Sequence, residues 1–71
     1  MNNLDTSQIE HYESQKCIGY NADFTRSYFE SVVILKRGGR KTLYSYTERH
    51  ANGLESTSDE YTDRPTVAHK A

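Results

Sequence analysis

The sequence predicts an α+β fold: a short N-terminal helix, a small antiparallel β-meander and a mobile C-terminal tail. Three observations predict it. Ser7 and Glu10 stand at the spacing of a helical capping box. The run Lys36-Arg37-Gly38-Gly39-Arg40-Lys41 sets two glycines between β-rich segments, the pattern of a hairpin tip. Beyond residue 62 the chain has few sizeable apolar side chains and contains its one proline, which argues against a central strand.

Residues 1–6 are polar and predict a frayed end. The capping box then starts a helix over residues 8–16, with Ile9 and Tyr12 on its apolar stripe and Cys17 near its end. That stripe is thin, and a helix below about 12 residues is marginal in water, so tertiary contacts have to hold it. Residues 17–20 suit a short strand and Asn21-Ala22-Asp23 a turn. Residues 23–35 fit two descriptions. Asp23 can cap a helix in which Phe24, Tyr28, Val32 and Leu35 recur near helical spacing, ending at Gly38. The β-branched run Val32-Val33-Ile34 instead favours a strand from Tyr28, and residues 42–47 are a strongly strand-like partner. The strand is the preferred reading.

With Gly38-Gly39 as a two-residue turn, Ile34 faces Leu43, Val33 faces Tyr44, Leu35 faces Thr42 and Ser31 faces Tyr46. Phe29, Val33, Leu35, Tyr44 and Tyr46 then share one face, and Tyr28, Val32, Ile34 and Leu43 the other. A hairpin apolar on both sides needs two covering layers, and the N-terminal helix supplies one. The second is expected from a partner or another protomer, which makes a homodimer an expectation. His50-Ala51-Asn52-Gly53 is a turn signal, and residues 54–61 suit a further polar strand. The domain is thus expected over residues 1–62, with a flexible tail over 63–71.

A chain of 71 residues holds one domain, which buries only about 60% of its unfolded surface. The net charge of -1 is not that of a protein that coats nucleic acid or anionic lipid. Its distribution is uneven: residues 36–49 hold five basic side chains and the single acid Glu48, a local +4 that leaves -5 for the remainder. The lone Cys17 has no disulfide partner, the start has no secretory pattern, and no apolar run approaches a membrane span. These features predict a soluble, cytoplasmic protein with no membrane partner.

His11, Cys17, His50 and His69 are the soft metal ligands, and none stands at a paired ligand spacing. No metal or cofactor is expected, and no enzymatic activity, because nothing fixes a nucleophile beside a base or two carboxylates in a dry cleft. The expected site is Lys36, Arg37, Arg40 and Lys41, with Tyr44 and Tyr46, two of six tyrosines, as aromatic anchors. The function predicted is a small non-enzymatic regulator or inhibitor docking on a larger protein, of the size of accessory proteins of mobile elements. A nucleic-acid-binding hairpin, with the basic residues on phosphates and Tyr44 or Tyr46 stacking on bases, is the alternative, and a self-assembling structural subunit a third. The acidic, hydroxyl-rich segment 55–63 reads as a solvated run, the alternative being that it lies against the basic tip and masks it until a partner displaces it.

Overall fold

The computed structural model describes residues 6–71 and shows an all-β molecule. A 3₁₀ turn at Thr6–Gln8 leads into β1 (Ile9–Tyr20), β2 (Arg26–Leu35), β3 (Arg40–Arg49) and β4 (Glu55–Thr57), one antiparallel sheet in the order β1-β2-β3-β4. The meander is as expected; the α+β class is not, since no α-helix occurs among the described residues. The frayed start expected for residues 1–6 lies, through Asp5, outside the described residues.

The helix expected over residues 8–16 is the first half of β1. Bulges explain the resemblance. The pairing of β1 with β2 slips by one residue between Ile9 and His11, between Tyr12 and Ser14, and between Cys17 and Gly19. Each slip adds a residue to β1. Ile9, Tyr12, Gln15 and Cys17 therefore all face the same side, opposite Leu35, Val33, Ser31 and Phe29. Two bulges convert the two-residue period of a strand into steps of three, which reads as a helical stripe. Pairing with β2 also satisfies a long row of backbone groups that a marginal helix would leave β2 to satisfy elsewhere.

The central hairpin has a different register from the one the glycines suggest. The loop is Lys36-Arg37-Gly38: Gly38 N–H donates to the Leu35 carbonyl (2.9 Å) and Leu35 N–H to the Gly39 carbonyl (3.0 Å), with Gly38 at φ 89° and Gly39 at φ 93°. This is a three-residue loop closed by a left-handed glycine, not a two-residue turn. The β4 hairpin is built alike, with Gly53 at φ 87° donating to His50. Ser31 thus pairs with Leu43, Val32 with Thr42 and Tyr28 with Tyr46, so the expected pairs are displaced by three positions. An odd displacement changes faces. Val33, Leu35 and Leu43 lie together on the first face, and Tyr44 and Tyr46 join Tyr28 on the second.

The first face holds the core: Val33 and Leu43 are fully buried, with Leu35 and Ile9 packed against them. The Tyr12 hydroxyl of β1 donates across this face to the Glu60 carboxylate, just beyond β4. The body is elongated, 40 × 23 × 21 Å.

The second face is covered by the chain itself. Beyond β4, Ser58 bonds Tyr46, and Tyr61 exchanges two backbone hydrogen bonds with Tyr44 (2.7 and 2.8 Å). The chain then crosses the sheet. Arg64 reaches Glu30 of β2 (2.8 Å), and at β1 Tyr20 N–H donates to the His69 carbonyl (2.7 Å) while Ala68 and His69 donate back to Tyr20. Residues 63–69, expected as a tail, are a strap over the second face. It makes the approach at Gly19, where a Cβ would collide with the His69 carbonyl and sit 2.9 Å from Val67 Cβ.

Candidate binding site

The β2–β3 tip presents Lys36, Arg37, Arg40 and Lys41, all exposed. Its backbone is fixed by the loop hydrogen bonds and by Lys36 N–H, which donates to the Gln8 carbonyl (2.9 Å) and ties the tip to the 3₁₀ turn. Arg40 pairs with Glu13 of β1, Nη2 at 2.9 Å and Nε at 3.1 Å. Lys36, Arg37 and Lys41 make no ion pair among the described residues. The acidic segment is elsewhere: Glu60 accepts from Tyr12, and none of its carboxylates pairs with the tip among the described residues. Val32 and Ile34, half-buried, stand on the same face as Arg40 and Thr42, so an apolar strip adjoins the charges.

Tyr44 and Tyr46 lie farther along β3, in a different surrounding. Tyr44 is buried beside Tyr61 (centroids 6.5 Å apart) and the strap's Arg64 guanidinium, 5.8 Å from its ring centroid. Tyr46 packs at 59° to Tyr28, with centroids 5.9 Å apart, and carries the Arg26 guanidinium 4.4 Å from its centroid. Arg26 is held in place by Glu48, Nε to Oε2 at 2.7 Å, and that carboxylate, then the Tyr28 hydroxyl, keeps its guanidinium firmly charged. The Tyr44 hydroxyl and Glu30 do the same for Arg64. Burial, reinforced by the neighbouring Tyr28 and Tyr46, pushes the Tyr61 phenol up.

Between this face and the strap lies a cleft of about 490 Å³. Arg26, Tyr28, Tyr46 and Tyr61 form its sheet side, Pro65 and Thr66 its strap side, and Ser58 and Asp59 its mouth. The six residues expected as one site thus divide: four at the tip, two beneath the strap. Sequence reading missed Arg26, Tyr28, Tyr61 and Arg64. The signal was present, because Arg26-Tyr28-Glu30 and Tyr44-Tyr46-Glu48 each repeat at every second residue, the period of one strand face.

The thiol and the imidazoles do not converge. Cys17 Sγ donates to the Gly19 carbonyl (3.8 Å), and hydrogen bonding with Cys17 raises the Tyr20 phenol. His11 lies beside Glu10, His50 beside Ser56 and His69 beside the Ala22 carbonyl. No cluster of three or more His, Cys, Asp or Glu suited to a metal ion occurs among the described residues. No helix among them is long and apolar enough to cross a membrane. Comparison with family models, with curated proteins and with solved structures finds no match.

Proposed function

We propose that the protein is a non-catalytic binding module that docks, through the β2–β3 tip, on an acidic surface of a larger protein and regulates or inhibits it inside the cell. One observation carries this reading: a backbone-fixed loop holds Lys36, Arg37 and Lys41 exposed and without an ion pair among the described residues, on a chain whose remaining charge is negative. Leaving like charges together at a tip costs Coulomb energy that a carboxylate-bearing partner relieves. Arg40, already paired to Glu13, positions the rim. Val32 and Ile34 supply the apolar contact beside it, in place of Tyr44 and Tyr46, which the strap region engages.

The test is affinity purification with mass spectrometry from the source organism, comparing wild type with Arg37→Glu/Lys41→Glu. Neither residue has an ion pair among the described residues, so the fold is expected unchanged. Loss of a protein partner in the variant supports the reading. Retention of that partner, or co-purification of nucleic acid with log affinity falling at about 0.9 per duplex phosphate per log unit of salt, overturns it.

A further inference from the structure

The strap is itself an extended segment seated on an aromatic face, and its contacts describe what that face accepts. Arg64 pairs with Glu30 and lies over Tyr44. Pro65 borders the cleft walled by Tyr28, Tyr46 and Tyr61. Val67 packs where residue 19 has no Cβ, and the strap ends in backbone pairing with Tyr20 at the outer edge of β1. A basic residue on a carboxylate, a proline facing a tyrosine-lined cleft and a strand-like end resemble the features by which aromatic grooves and sheet edges hold extended proline-containing peptides. The strap lies at the surface: Arg64, Thr66, Ala68 and His69 are exposed, and the cleft of about 490 Å³ runs beneath Pro65 and Thr66.

We infer that the tyrosine face of the sheet is a peptide groove for an extended arginine-proline segment of a partner protein, and that the chain's own Arg64–Pro65 strap occupies it as a built-in competitor. This goes beyond docking at the tip and uses a different surface. A strap closed most of the time lowers the apparent affinity for the partner segment by the fraction of molecules that are open. Weakening the strap while leaving the groove intact therefore tightens binding from outside.

The experiment uses the full chain and a fluorescein-labelled peptide with the sequence of residues 62–70, followed by fluorescence anisotropy. Binding to the Arg64→Ala protein is expected to be about tenfold tighter than to wild type, the effect of removing one exposed ion pair and one cation–π contact from the competitor. The Arg→Ala and Pro→Ala versions of the peptide are expected to bind at least fivefold more weakly. Equal affinity for the two proteins, no binding to either, or peptide binding indifferent to its arginine and proline overturns the inference. So does an Arg64→Ala protein that dimerises by strap exchange without peptide, by light scattering, since the occupant is then a second copy. Retained amide protection in β2 and β3 of the variant confirms that a negative result is not unfolding.

Discussion

Replacing Gly19 by alanine tests the seating of the strap most directly. The added Cβ would overlap the His69 carbonyl oxygen and lie 2.9 Å from Val67 Cβ and Cγ2, so the strap end has to move. Moving it breaks the bond from Tyr20 N–H to His69 and the two that Ala68 and His69 donate to Tyr20. Each net backbone hydrogen bond is worth about 0.5–1.5 kcal/mol. Two of the three share one carbonyl, so the loss is about 2 kcal/mol. At φ 154° the alanine adds backbone strain of about 1 kcal/mol or more. In a domain of this size each kcal/mol lowers Tm by about 4–8 °C, so a fall of about 10 °C or more is expected. Hydrogen exchange localises the change: the amides of Tyr20, Ala68 and His69 lose protection first, ahead of β2 and β3. Wild-type protection at those three amides, with unchanged Tm, refutes the reasoning.

Hydrogen bonding to Glu60, then burial, pushes the Tyr12 phenol up to about 12. A folded-state value above the unfolded one of about 10 gives a contribution complete below pH 10 and lost as pH rises through 12; the Tm difference between wild type and Tyr12→Phe is therefore expected to shrink over that window in a pH series. Leu43→Ala, at a fully buried position, is expected to cost about 2–5 kcal/mol in urea unfolding. Ser31→Ala is expected to be neutral or stabilising by up to about 1 kcal/mol in the same assay, because the buried Ser31 hydroxyl has no hydrogen-bond partner among the described residues. Phe24 holds φ 60° and stacks 4.2 Å from His69. Phe24→Gly relieves strain of about 1–2 kcal/mol but loses a stack of similar size, so Tm is expected to move little while the His69 amide loses protection.

The meander, the two glycine-closed turns and the strand character of residues 28–35 and 42–47 were legible because β-branched runs and Gly-containing turns act locally. The helix expected at residues 8–16 was wrong for a physical reason rather than a weak signal. Bulges at Glu10 and Glu13 respace Ile9, Tyr12 and Gln15 to threes, and no local pattern announces a bulge. The register error has a similar source. Gly38-Gly39 permits a two-residue turn, but placing Lys36 and Arg37 inside the loop pairs Ser31 with Leu43 and gathers Tyr28, Tyr44 and Tyr46 with the arginines and acids of one face. The basic tip survived the change because its residues are contiguous. Tyr44 and Tyr46 did not stay beside it, because their placement depended on register and on a strap whose polar sequence offers little sign of where it packs.

The two faces of the hairpin are closed by different physics, and this separates the roles of tip and groove. The first face is sealed by Val33 and Leu43, whose exposure requires unfolding the sheet. The second is covered by residues 63–69, which add only Pro65 and Val67 as half-buried apolar groups and otherwise hold by a few hydrogen bonds, the Phe24–His69 stack and the Arg64–Glu30 pair. Local opening is cheapest where apolar contacts are few, so the strap can leave under conditions in which the core does not. The tip needs no opening, since its cations are always presented. Long-range charge governs encounter, whereas desolvated contacts govern residence. Charge reversal at Arg37 and Lys41 should therefore slow association and flatten its salt dependence. A change at the tyrosine groove should alter dissociation, and through the open fraction of the strap the apparent association rate, without changing the salt dependence.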